Sequence, residues 1–244
     1  MSLKARALVR RQILACERCE LRSECRRPVP FKGPTPAALA VLGEAPGRME
    51  DAVGEPFVGP SGALLKRTLE RAGVDPDTVF RCNAASCYPS RSRTPGKTHL
   101  SACRVNLEDQ LRISGARVVL VCGATALSAV TEKYRISAVR GRRLYWQMGL
   151  GRVVVATWHP AAVLRDHGKT QEFRGDVGLA ARLSREGWQG AMGGWDESCL
   201  SCEAEREAEV YDEFGVGFCE EHRGGLPEGR GLAVGRKVQG VLLL

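Results

Sequence analysis

The stretch ARVVLVCGATALSAV, residues 116–130, decides the fold. Residues 116–122 form a short, apolar, β-branched run, the pattern of a strand buried on both faces. Gly123 turns the chain, and residues 124–130 continue with helical spacing, so the unit reads strand, tight turn, helix. The same unit recurs on either side. Residues 39–42 form an apolar run ending in Gly43-Glu44-Ala45-Pro46-Gly47, and Ser61 can cap a helix over 62–72 that stops at Gly73. Residues 79–83 and 152–157 supply two more strands, while 4–16, 100–113 and 172–186 carry helical patterns.

Strands alternating with helices predict an α/β fold: a three-layer α/β/α sandwich around a mainly parallel four-stranded sheet. Gly43 to Gly47, Asn83 to Cys87, Gly123 and Trp158-His159-Pro160 then all fall just past the carboxyl ends of strands, where open α/β sheets place their ligands. At 244 residues the chain has room for one such domain over 1–188 and a small appendage. Helical periodicity fades near Gly187. Residues 189–194 read as a linker, 195–225 as a metal-stapled module and 226–244 as a tail.

Apolar residues make up 43% and charged residues 26% of the chain, a balance that excludes a disordered protein. The net charge of +8 comes mostly from arginine, whose planar fork suits phosphate, so nucleic acid is the natural partner. Nothing approaches the roughly 20 apolar residues of a membrane helix, and the opening MSLKARALVRRQILACERCE lacks a signal-peptide core. A soluble, cytoplasmic, DNA-associated monomer with no membrane partner is expected.

Ten cysteines in a reducing compartment point to metal ligands or buried thiols rather than disulfides. Cys16 and Cys19 form a C-x2-C pair that needs two more donors. Cys87 and Cys103 are the candidates, Cys25 is their competitor, and either zinc or [4Fe-4S] would suit four thiolates. Cys82 and Cys122 sit inside strand patterns and are assigned to the core. Near the other end, Cys199, Cys202, Cys219 and His222 form a C-x2-C…C-x2-H set suited to a tetrahedral zinc ion, without which so short a module could hardly fold.

Three loop residues carry candidate chemistry. Phe57, in GEPFVG, can stack on a flat heterocycle. Asn83 presents a donor and an acceptor side by side, matching a pyrimidine edge. His159, held before a proline, points toward the same loops.

Together GEAPGRMED, EPFVGPSGALL, NAASCYPSRSRTP, SACRVNL and TWHPAAVLR resemble the uracil-DNA glycosylase superfamily, specifically family 4, the iron-sulfur branch, over about residues 10–186. The resemblance implies hydrolysis of the N-glycosidic bond of uracil in single- and double-stranded DNA. By it, Cys16, Cys19, Cys87 and Cys103 hold a structural [4Fe-4S] cluster, and Phe57 stacks on the extruded base. Asn83 reads O4 and N3–H, and His159 stabilises charge on O2. Arg91, Arg93 and Lys97 face phosphate, and Val163, Leu164 and Arg165 are placed like the wedge that fills the vacated stack.

The best-known branch carries a water-activating aspartate and a thymine-excluding tyrosine where this chain has Ala45 and Gly47. Water activation is therefore left to Glu44, Glu50 or a backbone carbonyl. Two other functions remain open at this level: a non-catalytic iron-sulfur DNA-binding module, and a glycosylase for a wider range of deaminated bases.

Overall fold

The computed structural model describes residues 3–90, 93–131, 135–146 and 152–191, with 210–211, 217–218 and 241–243 as short strand segments. In chain order the elements are α1 (Leu3–Leu14), α2 (Leu21–Glu24), β1 (Leu39–Gly43), α3 (Arg48–Val53), α4 (Pro60–Arg71), β2 (Phe80–Asn83) and α5 (Lys97–Ser114). They continue with β3 (Val118–Cys122), α6 (Ala124–Val130), α7 (Ile136–Val139), β4 (Arg143–Trp146), β5 (Arg152–Thr157), α8 (Pro160–Arg165) and α9 (Thr170–Ala191). Beyond these come β6 (Val210–Tyr211), β7 (Gly217–Phe218) and β8 (Val241–Leu243).

The layers follow from period-two alternation. Ala40 and Leu42 of β1, Val119 and Val121 of β3, and Val154 and Ala156 of β5 pack on one face with residues of α1, α5 and α6. Leu39, Val41, Val118, Leu120, Val153 and Val155 pack on the other with residues of α4, α8 and α9. Each strand is thus buried on both sides, which is why it reads as a continuous apolar run. Cys82 and Cys122 are core residues as expected, and burial pushes each thiol up to about 12.

Neighbouring strands run in the order β2-β1-β3-β5-β4, with β8 added beyond β4. β1, β2, β3 and β5 are parallel, whereas β4 runs antiparallel to β5, and β8 antiparallel to β4. The expected four-stranded sheet is therefore too small. β4 is only RLYW, led by an arginine, and too short to display a period. Val241–Leu243 pairs with β4 at this edge.

Register decides where the loops emerge. Gly43 lies opposite Asn83 across β1 and β2, and Cys122 opposite Thr157 across β3 and β5. The chain leaves β1 toward β2 on one side and returns to β3 on the other. The carboxyl ends there form a topological switch point, the usual ligand crevice of such sheets.

Candidate functional site

Gly43, the last residue of β1, is the floor of the crevice. A Cβ built on it would stand 2.3 Å from Asn83 Oδ1 and 2.7 Å from Phe57 Cζ, so two candidate side chains meet over a residue that has none. Backbone bonds from Ala84 N–H to Gly43 O (2.9 Å) and from Ala85 N–H to Glu44 O (3.0 Å) extend the β1–β2 pairing into the loops. Asn83 is thereby buried with its carboxamide at the sheet edge.

Phe57 has φ of +59°, the one left-handed non-glycine among the described residues. Such strain in a bulky residue persists only where the surroundings impose it. Here Gly62 imposes it: the first turn of α4 passes so close that a Cβ on Gly62 would lie 1.9 Å from Phe57 O. The ring is held over the crevice by its own backbone.

Glu50, buried in α3, accepts from Gly47 N–H (3.0 Å, Oε2) and Gly59 N–H (2.8 Å, Oε1). It joins the two glycine loops, and its oxygens are directed at those amides. Glu44 also lines the crevice, and its carboxylate accepts no hydrogen bond from any described residue. These two candidate bases, indistinguishable by sequence, thus sit in different environments.

His159 is the N-cap of α8, and its Nδ1 accepts from Ala161 N–H at 3.1 Å. An accepting Nδ1 places the ring proton on Nε2 in the neutral imidazole. Behind the ring, Gly123 has φ of +93°, and a Cβ there would come within 2.9 Å of His159 Cβ. Burial holds the imidazole below its ordinary value of 6.5, with the nearby Glu44 charge opposing part of that shift. If excision uses the neutral form, the acid limb of kcat should fall below 6.5, with a plateau through neutrality. Stability should move the same way. As pH falls through 6.5 the unfolded chain binds a proton that the folded one resists, so stability is lost on the acid side. A pH–rate profile with its midpoint above 6.5 would contradict this.

These side chains line one cavity of about 580 Å³, together with Ala45, Gly47, Met49, Ser61, Tyr88, Pro89 and Arg93. Sequence reading missed Tyr88. Its only signal was its place next to Cys87, and the structure packs it against a buried nest of Leu21, Cys25, Ala85, Cys87 and Cys103, joined by Cys19 and Ala45. Ala45 and Tyr88 are thus the wall shared by cavity and cysteines.

Cys16 follows α1, Cys19 precedes α2, Cys87 lies beyond β2 and Cys103 is in α5. Burial pushes Cys103 up to about 11 and Cys87 higher still, with Cys25, Cys103 and Cys19 adding to the shift at Cys87. Polar ties clasp the segment from α1 to α2 onto α5 and the preceding loop: Gln12 to Asp109 (3.0 Å), Arg18 to Asn106 (3.0 Å), His99 with Glu20 (2.7 Å) and Ser90 N–H to Glu24 (3.0 Å). Among the described residues no three Cys, His, Asp or Glu side chains surround a point that a single metal ion could fill. A cubane cluster gives each thiolate its own iron, so it needs the four donors spread around a larger body.

The candidate DNA contacts separate. Arg93 is paired with Glu24, whose carboxyl it and Ser90 hold down at about 2. Lys97 is exposed at the start of α5, whereas Arg91 lies outside the described residues. Val163 is not part of a wedge: it is 1% exposed and packs in the core, because the first turns of α8 turn that side inward. Leu164 and Arg165 are exposed. Cys199, Cys202, Cys219 and His222 lie outside the described residues.

Fold and site define a mainly parallel α/β protein in which an aromatic ring, a carboxamide and an imidazole line one cavity at the carboxyl edge of the sheet. The family described as the Uracil DNA glycosylase superfamily matches residues 30–177. Type-4 uracil-DNA glycosylase of Pyrobaculum aerophilum is 33% identical over 170 residues, 67% of this chain and 87% of that protein. The protein of the same name from Thermotoga maritima is 35% identical over 169 residues, 68% of this chain and 86% of the relative. That of Archaeoglobus fulgidus is 33% identical over 173 residues, covering 68% and 86%. The chain belongs to the uracil-DNA glycosylase superfamily, among its type-4 members.

Proposed function

We propose that the protein excises uracil from DNA by hydrolysing the N-glycosidic bond, leaving an abasic site. The observation that carries this reading is the convergence of Phe57, Asn83 and His159 on one cavity at the carboxyl edge of the sheet. A flipped base would stack on Phe57, with Asn83 pairing to its O4 and N3–H edge. His159 Nε2–H would donate to O2. As the bond between C1′ and N1 breaks, its electron pair moves onto the base and negative charge builds at O2. A donor fixed there strengthens in the transition state more than in the ground state. Water then bonds to C1′ and gives up a proton. We assign that water to Glu44, because Glu50 is occupied with Gly47 and Gly59. Glu50 instead braces the two loops.

Cys16, Cys19, Cys87 and Cys103 supply the four thiols that a [4Fe-4S] cluster needs: Cys87 and Cys103 are buried, Cys16 and Cys19 are half-buried, and Cys25 lies in the same nest as a fifth thiol. When bound, the cluster would act as a structural cross-link that needs no change of oxidation state. These thiols would tie α1, α2 and α5 to the loop after β2. The basic surface, with Lys97, Arg165 and exposed Leu164, would face the DNA.

A labelled oligonucleotide with a single uracil, treated with protein and then with hot alkali, is expected to break at that position, and uncut DNA with folded, iron-loaded protein would overturn the reading. Metal analysis tests the second assignment. Iron and sulfide are expected with broad visible absorption, and all three should be lost in Cys103→Ser. A colourless protein retaining only zinc at these thiols would contradict the cluster. Zinc bound in addition, and lost in Cys219→Ser, is expected if residues 195–225 form the proposed second metal module.

A further inference from the structure

At the end of β5 lies a polar network, buried at Asp176 and Thr157 and half-exposed at Glu172, that base recognition does not use. Asp176 of α9 is 2% exposed. Its Oδ2 accepts from Thr157 Oγ1 at 2.9 Å and from Arg140 Nε at 3.2 Å, and its Oδ1 accepts from Arg140 Nη2 at 3.0 Å. One turn earlier on the same helix, Glu172 takes Arg140 Nη1 at 3.1 Å and the indole Nε1–H of Trp158 at 2.6 Å. Gly141 lets this arrangement close. It has φ of +69°, donates its N–H to Ala156 O, and leaves the space where a Cβ would be 2.7 Å from Asp176 Oδ1.

A buried carboxylate–arginine pair contributes little net stability compared with apolar residues of the same shape, because both charges must leave water. Its specific effect here is geometric. Thr157 and Trp158 are the two residues before His159, and each donates its side-chain hydrogen to one of the two α9 carboxylates. Thr157 O also accepts from Gly123 N–H at 2.8 Å, and Gly123 is the residue that leaves only 2.9 Å between a would-be Cβ and His159 Cβ. Arg140 holds both carboxylates in place.

We propose that Asp176 and Glu172 are positioning residues for His159: through Thr157 Oγ1 and Trp158 Nε1 they fix the end of β5 and hence the direction of the imidazole. This rests on His159 acting as the donor to the leaving group. The network itself touches no substrate. Its effect should fall on the rate of bond breaking and spare ground-state binding, which Phe57 and Asn83 supply.

The test is single-turnover excision and KM for Thr157→Val, Trp158→Phe and Asp176→Asn, each also combined with His159→Ala, with thermal unfolding followed throughout. Thr157→Val and Trp158→Phe keep the packing while removing one hydrogen each, so they serve even if Asp176→Asn folds poorly. Each single variant is expected to slow excision by roughly tenfold or more at little-changed KM, since small misplacements of a reacting group carry losses of this order. In the His159→Ala background the same changes should produce no further fall. Native rates in Thr157→Val and Trp158→Phe would overturn the proposal, as would equal further losses in the His159→Ala background, which mark a purely structural role. In both cases the loss in His159→Ala itself still stands. If His159→Ala alone keeps the native rate, the role given to His159 fails first and this proposal fails with it.

Discussion

His159→Ala is expected to slow single-turnover excision on the order of a hundred- to a thousandfold while leaving the affinity for uracil-containing DNA almost unchanged. The imidazole has one nitrogen committed, with Nδ1 accepting from Ala161 N–H, and so presents Nε2–H to the cavity as a neutral donor. Loss of a preorganised donor to developing negative charge corresponds to about 3 to 4 kcal/mol of barrier. Base affinity comes from stacking and edge pairing, so KM should move little. The same side chain also caps α8, and removing a cap costs about 1 kcal/mol of stability. His159→Asn separates the two roles, because asparagine caps well but places no donor where Nε2 was. It should regain the unfolding temperature and not the rate. An alanine variant within about tenfold of the native rate would contradict a donor role of this size.

Gly43→Ala should be nearly as damaging, for a reason found only in the packing. The backbone at Gly43 is ordinary extended strand, so alanine is tolerated locally. Its methyl, however, would stand 2.3 Å from Asn83 Oδ1 and 2.7 Å from Phe57 Cζ. Both are far ends of side chains, so the protein can fold by moving them. Phe57 cannot retreat with its backbone, which is fixed at φ of +59° against Gly62. The methyl must therefore push the edge-reading group and the stacking ring off their places, and a shift of about 1 Å at such groups loses on the order of a hundredfold in kcat/KM. The loss should be accompanied by weaker base binding, unlike that in His159→Ala, and by little change in thermal unfolding. A Gly43→Ala enzyme with native kcat/KM would show that Asn83 and Phe57 do not need this floor.

The elements that were legible in the sequence are those whose environment is uniform. Residues 118–122 and 152–157 are buried on both faces, so a one-dimensional apolar run records their position. β4 was hidden because four residues led by Arg143 carry no readable period, and α3 because RMEDAV is scarcely more than a turn and a half. Candidate site residues were legible through their place: Gly43, Asn83 and His159 all fall at the carboxyl ends of strands, where open parallel sheets gather their ligands.

What those residues do with their hydrogen bonds was not legible. Glu44 and Glu50 have the same side chain six positions apart, and only the fold places Gly47 and Gly59 amides on Glu50 and leaves Glu44 in the cavity. Arg93 belongs to a basic run that suggests phosphate, yet Glu24 is brought to it from 69 residues away. Val163 was indistinguishable from Leu164 until the face of α8 was known.

The sequence by itself determined the layered α/β fold and the sheet edge at which Phe57, Asn83 and His159 line one cavity, because periodicity and strand-end composition are local properties of the chain. Tertiary structure decided the left-handed setting of Phe57 against Gly62, the pairing of Arg93 with Glu24 and the wall that Ala45 and Tyr88 share between cysteines and cavity. Each of these depends on a partner distant in sequence or on how closely two backbones approach. No local pattern of residues records either.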